Sequence, residues 1–271
     1  MITDAVFSID RDHQLRNHLR AAACTRRLLV GTDFDGTLVE LHDDPAAVWL
    51  TPGAAETLTA LAAQPGVTVA VLSGRCLGDL QVRFEDADGI RLIGSHGAEP
   101  EHEDHRIRLH PTQDQLLRTT TEQLRGITSA CVGTWVERKP TSVVFHYRTA
   151  GDKCAADAVR AVLAGPGTSA GIHLRLGKDC LELAVVEVTK GVALDRLRRD
   201  IVAERVVFLG DDVTDEDGFR VLTNEDIGIK VGPGPSAAEY RAATTSEALA
   251  ILRELLELRE QFHQDYPEFV T

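Results

Sequence analysis

Leu28 to Leu41 reads LLVGTDFDGTLVEL. An apolar run of strand length closes on two aspartates, and Gly36 then allows a sharp turn. Asp33 and Asp35 are two residues apart, so in extended backbone they face the same side. They would sit at the carboxyl end of a strand, where open α/β sheets take their ligands. Thr37 adds a hydroxyl and a backbone N–H. Alone, the stretch fits two turn aspartates as well as it fits a reactive pair.

Outward from this stretch, Arg27–Thr32, Val67–Leu72 (VTVAVL) and Ile90–Ile93 (IRLI) read as buried strands. Pro52–Ala63 reads as a helix with Thr51 in the N-cap position and Pro52 just inside it. Toward the end come a strand at Val206–Leu209, a helix from about Thr214, a strand at Ile227–Val231 and an amphipathic helix at Glu247–Phe262. A further helix is expected before the first strand. Strands apolar along their length, alternating with helices, predict an α/β fold with a doubly wound, Rossmann-like parallel sheet covered on both faces.

The middle of the chain differs. Ser142–Arg148 (SVVFHYR) reads as a strand standing alone, while Ile172–Leu176 and Cys180–Val185 flank the turn Gly177–Lys178–Asp179 as a hairpin. Helices are expected at Thr112–Ser129 and Lys153–Leu163. The division expected is core at 1–109, an inserted α+β module at 110–185, and core again at 186–271.

The 271 residues carry 29 Lys+Arg against 42 Asp+Glu, a net charge of −13. That surplus argues against non-specific binding to nucleic acid or an anionic membrane. It also opposes phosphate binding, unless local cations or a metal reverse the sign inside a site. Five scattered cysteines without a CxxC predict a reduced, cytoplasmic chain, with neither a disulfide framework nor a zinc site. The N-terminal residues lack the apolar core of a signal peptide, and no window approaches a membrane span. A soluble monomer is expected.

Other strand ends complete a constellation. The second strand ends in LSGR, placing Ser73, Gly74 and Arg75 at the same sheet edge. Lys190 opens a helix in VTKGVAL, and Arg205–Phe219 reads RVVFLGDDVTDEDGF, with Asp211, Asp212, Asp215, Glu216 and Asp217 crowded after a strand. Like charges packed this closely repel, so a folded site needs something to offset them. A carboxylate nucleophile, a second carboxylate to move protons, donors for phosphoryl oxygens and a metal are what transfer through an aspartyl-phosphate requires. Glu216 and Asp217 fit the first turn of a helix, where negative charge suits the dipole.

DFDGT, the serine of LSGR, the lysine before Gly191 and GDDVTDEDGF together resemble the four motifs of the haloacid dehalogenase-type phosphatases. Within them, GSHGAE (94–99), ERKPTSVVFHYR (137–148), GKDCLEL (177–183) and VGPGPSAAEY (231–240) resemble the trehalose-6-phosphate phosphatases. The resemblance runs from Leu28 to about Tyr240. It implies Mg2+-dependent hydrolysis of trehalose 6-phosphate, the last step of trehalose biosynthesis. It makes Asp33 the nucleophile, Asp35 the general acid and then base, and Ser73 and Lys190 the holders of the phosphoryl group. Mg2+ would lie among Asp33, the Asp35 carbonyl and Asp211, with Asp212 or Asp215 in support. The inserted module becomes a cap that binds the sugar through Glu137, Lys139 and Glu182. Thr37, Gly74 and Arg75 would help to bind the substrate, Arg148 would bind substrate or hold structure, and His96 would orient its loop or touch ligand.

Two features depart from the family pattern. An Arg-Pro pair usual after the glutamate of the GK stretch is replaced here by LELAVVEV, and the usual threonine of the VG segment is Ser236. Both bear on the handling of the sugar rather than on phosphoryl transfer. GPGPSA (232–237) has the form of a dinucleotide loop, but its prolines remove donors that a pyrophosphate needs. An EF-hand register over Asp215 fails for want of ligands at Val213 and Asn224. His102, His105 and His110 read as a solvated loop and edge strand. The rivals to a trehalose-6-phosphate phosphatase are a phosphatase for another phosphorylated disaccharide, pseudo-disaccharide or glycoside phosphate, and a non-catalytic sugar-phosphate-binding regulatory domain. A non-catalytic copy would be expected to lack Asp33, Asp35, Lys190 or Asp211, and all four are present.

Overall fold

The computed structural model describes residues 2–42, 48–85, 87–100, 107–177 and 179–267, with backbone alone for 2–12. The chain divides into two units, Met1–Glu101 with Thr189–Thr271, and His102–Val188. His102, His105 and Lys178 lie outside the described residues.

The first unit is built on a seven-stranded sheet. Its strands are β1 (Leu28–Thr32), β2 (Val67–Leu72), β3 (Ile90–Gly94), β4 (Glu99–Pro100), β9 (Arg205–Gly210), β10 (Ile227–Val231) and β11 (Tyr240–Ala242). Their order across the sheet is β11-β10-β9-β1-β2-β3-β4. All pairs are parallel except β3 with β4. Every residue of β1 and β10 is buried, which is why neither reads as an alternation of apolar and polar residues.

The pleat of β1 divides its side chains between two faces. Leu28 and Val30 join a core cluster with Leu19 of α1 (Ile2–Ala23), Leu58 of α2 (Ala54–Ala62), Leu80 of α3 (Leu77–Arg83) and Leu252 of α8 (Thr245–Asp265). Leu29 joins another with Leu194 of α6 (Lys190–Asp200) and Phe219 of α7 (Glu216–Arg220). Helices thus cover both faces, and the unit is a doubly wound α/β core. Arg259 of α8 is 1% exposed, and it donates to the carbonyls of Ala23 at 2.6 Å and Pro65 at 2.6 Å. It ties the last helix to the end of the first and to the turn before β2.

The second unit has an antiparallel sheet ordered β5-β6-β8-β7, from β5 (Trp135–Arg138), β6 (Ser142–His146), β7 (His173–Gly177) and β8 (Cys180–Ala184). One face packs Val143, Phe145, Leu181 and Leu183 against Leu117 and Leu124 of α4 (Pro111–Ser129) and Ala158 and Val162 of α5 (Asp152–Ala164). The other face carries Glu137 and Glu182.

Several expectations need correction. α2 starts at Ala54 with Gly53 as its N-cap, in the left-handed region at φ 87°; the Thr51 carbonyl accepts from Ala54 N at 2.9 Å, so Pro52–Gly53 forms a turn, not a first helical turn. The segment after β9 runs through a 3₁₀ turn, Val213–Asp215, before α7 begins at Glu216. β6 does not stand alone but pairs with β8 and with β5, a strand missed because Glu137 and Arg138 mask its apolar content. His110 is the N-cap of α4, its ring accepting from Thr112 N. Cys131 and Cys154, 23 residues apart with Cα atoms 5.8 Å apart, form a disulfide, which overturns the expectation of a wholly reduced chain. Cys24, Cys76 and Cys180 are free thiols.

Candidate active site

The carboxyl ends of β1, β2 and β9 and the start of α6 gather the charged groups. Thr189 caps α6 through Val192 N, which sets Lys190 as the first helical residue. The Lys190 side chain is 2% exposed, and its Nζ lies 2.7 Å from Asp33 Oδ1 and 2.8 Å from Asp215 Oδ1. Asp215 Oδ2 accepts the backbone N–H groups of Asp211 and Asp212, each at 3.0 Å. Carboxylate oxygens of Asp33, Asp211 and Asp215 all lie within 4.8 Å of one another.

This crowding costs energy unless a cation joins it. Burial first, and then the charge of Asp215, push Asp33 well above the ordinary carboxylate range. The same two causes raise Asp211 to about 6. Burial alone would lower Lys190, but Asp33 and Asp215 outweigh it and hold the ammonium strongly charged. Three carboxylates against one lysine leave the cluster net negative. Asp211 Oδ1 is a buried oxygen with no hydrogen-bond partner. A hard divalent cation fits this donor set and would reverse both upward shifts.

Gly36 explains the closeness of the two motifs. Its φ is +76°, and a Cβ there would stand 2.1 Å from Asp211 Oδ2, so any other residue would displace that carboxylate. The carbonyl of Asp211 also accepts from Lys230 Nζ. Lys230 was not among the expected site residues, although a lone lysine inside the apolar strand IGIKV is a visible signal.

Asp35 belongs to a different network. Arg75 grips it bidentately, Nε to Oδ2 and Nη2 to Oδ1, both at 2.7 Å. Arg75 Nη1 also donates to Asp79 Oδ2 at 2.7 Å, and Asp79 is shared with Arg83. Hydrogen bonds from Arg75 and Arg83 outweigh burial, the largest single effect, and leave Asp79 below its usual range. Asp79 and Arg83, four residues apart on α3, with Arg75 just before its N-cap, are the signal that could have revealed this network.

Ser73 is fully buried, its Oγ accepting from Arg75 N at 3.2 Å. Thr37 is fully buried too, with an Oγ1 that has no hydrogen-bond partner. His96, in the left-handed region at φ 56°, donates its backbone N–H to Ser73 O at 2.8 Å. Its ring covers Gly74, where a Cβ would come 2.7 Å from Cε1. It therefore braces the loop after β2.

The acidic run separates into distinct roles. Asp212 lies outside the three-carboxylate cluster and caps the 3₁₀ turn. Glu216 is 9% exposed and accepts from Ala237 N at 2.8 Å, fastening α7 to the GPGPSA loop. Asp217 pairs with Arg220 at 3.0 Å. In the second unit, Glu137 Oε2 meets His146 Nε2 at 2.9 Å. Glu182 is 8% exposed, accepts from Ser142 Oγ at 2.6 Å and lies 3.9 Å from Arg175. Lys139 N donates to Ser142 O at 2.9 Å, and Arg148 pairs with Asp179 at 3.6 Å.

The sequence matches the profile of the trehalose-phosphatase family over residues 31–250. The chain belongs to that family. Trehalose-phosphate phosphatase from Mycobacterium tuberculosis is 39% identical over 209 residues, 73% of this chain and 52% of that protein. A Mycobacterium tuberculosis protein named an uncharacterized glycosyl hydrolase is 33% identical over 280 residues, 97% of this chain but 21% of that one. The chain thus spans about half of one relative and a fifth of the other. A solved trehalose-6-phosphate phosphatase related protein is 26% identical, with a TM-score of 0.66 over 86% of this chain and 99% of that one. The match runs from the end of β1 through the other core strands and the whole of the second unit.

Proposed function

We propose that the chain is a Mg2+-dependent phosphatase that hydrolyses trehalose 6-phosphate to trehalose and phosphate. The observation that carries this reading is the buried Lys190 ammonium, 2.7 Å from Asp33 and 2.8 Å from Asp215, in a chain of this family. A carboxylate fixed at a strand end beside a cation suits nucleophilic attack on a phosphoryl group.

An Asp33 oxygen attacks phosphorus, the bond to the sugar oxygen breaks, and Asp35 gives that oxygen its proton. Asp35 then takes a proton from water, whose oxygen attacks phosphorus. The bond to Asp33 breaks and phosphate leaves, restoring both carboxyl groups. Both Asp35 oxygens are engaged by Arg75, so proton delivery requires Asp35 to leave that grip. Lys190, Ser73 and Thr37 orient the phosphoryl oxygens. Asp33, Asp211 and the Asp35 carbonyl would hold Mg2+, which when bound neutralises developing charge on the phosphoryl oxygens. Asp215, already engaged by Lys190 and two amides, supports the site from behind, while Asp212 lies outside the three-carboxylate cluster. In the second unit Glu137, Lys139, Glu182 and Arg148 offer charged groups to sugar hydroxyls.

A phosphate-release screen over sugar phosphates, with Mg2+ and with EDTA, tests the reading. Turnover should depend on Mg2+ and favour trehalose 6-phosphate. Preference for another glycoside phosphate would replace the substrate, and absence of turnover on every phosphate ester would leave the regulatory alternative.

A further inference from the structure

Period-two alternation on β5 puts Trp135 on the sheet face that carries Glu137, opposite the face that packs on α4 and α5. Trp135 is 44% exposed, although its chain neighbour Val136 packs against the core of the unit. An indole left half in water on an edge strand calls for an explanation. Its cross-strand partner is His146, and the two rings lie 4.5 Å apart at 8°. The imidazole is fixed in turn by Glu137, whose Oε2 is 2.9 Å from Nε2. The indole is therefore backed by one flat ring, and that ring is held by the carboxylate next along the same face. Glu182 and Arg175, paired at 3.9 Å, continue the face across β8 and β7.

A flat, rigid apolar surface beside carboxylates and a guanidinium matches a pyranose. The C–H groups of such a ring present an apolar face, while its rim is all hydroxyls. We propose that Trp135, backed by His146, is the surface on which a pyranose ring of the substrate stacks, and that it sets preference for a glycosyl phosphate over a small phosphate ester. This rests on the sugar-phosphate reading above. A cross-strand stack that only stabilised the hairpin would predict no such discrimination.

The chain has two tryptophans, Trp49 and Trp135, which makes a direct test possible. In Trp49→Phe protein, trehalose without phosphate should change Trp135 emission saturably. In steady-state assays, Trp135→Ala should raise KM for trehalose 6-phosphate about tenfold, the scale of one good aromatic contact, with kcat nearly kept. Trp135→Phe should recover most of that loss, and p-nitrophenyl phosphate turnover should stay within about twofold of the unaltered protein. Equal losses on both substrates, or no loss on either, would overturn the inference, as would an emission indifferent to trehalose. A chain that hydrolyses p-nitrophenyl phosphate but no sugar phosphate would instead remove the reading beneath it. The emission titration separates the two failures because it needs no turnover.

Discussion

Asp33 and Asp35 leave the same turn, yet Asp33 is 4% exposed and faces an ammonium, whereas the Asp35 side chain is 35% exposed and faces a guanidinium. The first is locked among carboxylates and Lys190 and cannot rotate without breaking that cluster. The second is held by a partner that solvent can replace. A nucleophile needs a fixed position, and an acid-base group needs access to water and freedom to move between proton donors and acceptors. Two neighbouring carboxylates in unlike surroundings are how one fold divides such roles.

The largest expected effect breaks this contrast at its fixed side. Asp33→Asn should lower phosphate release by at least about 10⁴-fold while the thermal midpoint holds or rises, since one buried negative charge is removed. Measurable turnover in that variant would reassign the nucleophile. Asp35→Asn should cost about 10²–10⁴-fold on a sugar phosphate, and far less in the first step on an activated aryl phosphate that needs no proton to leave. Single-turnover kinetics on both substrates would read this difference. Equal losses would mean that Asp35 does something other than protonate the leaving group.

Smaller effects sharpen the comparison. The raised Asp33 and Asp211 groups bind protons in the folded chain that the unfolded chain has already released. Metal-free stability should therefore fall as pH rises from the ordinary carboxylate range, about 4, through about 6. Mg2+ competes with those protons, so its stabilising effect on the thermal midpoint should be larger at pH 7 than at pH 5. Equal Mg2+ effects at the two pH values would place the metal elsewhere. Asp79→Asn loosens Arg75 without touching the carboxylate cluster. It should change kcat by no more than about fivefold and alter the ratio of sugar-phosphate to aryl-phosphate turnover, whereas an unchanged ratio would remove Arg75 from the control of Asp35.

The five central strands of the sheet are legible because they are buried on both faces and largely apolar, whereas the short edge strands β4 and β11 leave no such signature. Val67–Leu72 and Ile227–Val231 were read with the bounds that the structure gives them. β5 was not legible, because an edge strand with Glu137 and Arg138 lacks that signature. The pairing of Cys131 with Cys154 depends on where α4 ends and α5 begins, which spacing along the chain does not encode. In the site, motif spacing brought Asp33, Lys190 and the acidic run to one sheet edge. It left Asp212 and Asp215 undivided, since only the turn after β9 turns the Asp215 side chain inward and makes Asp212 a cap. Arg75 reads from the sequence as a substrate group, and its bidentate bond to Asp35 is a contact that position along the chain does not encode.

The family match stops at residue 250, within α8, and begins at residue 31, after α1. Arg259, buried and bonded to the carbonyls of Ala23 and Pro65, lies beyond one boundary and grips what lies beyond the other. A fragment trimmed to the matched span would thus lose a clasp as well as two coverings. Leu28, Val30 and Leu58 would lose the shelter of Leu19 and Leu255, and the Pro65 carbonyl would lose its donor. Expression boundaries for this chain belong outside both helices, even though none of the site residues named above lies on either.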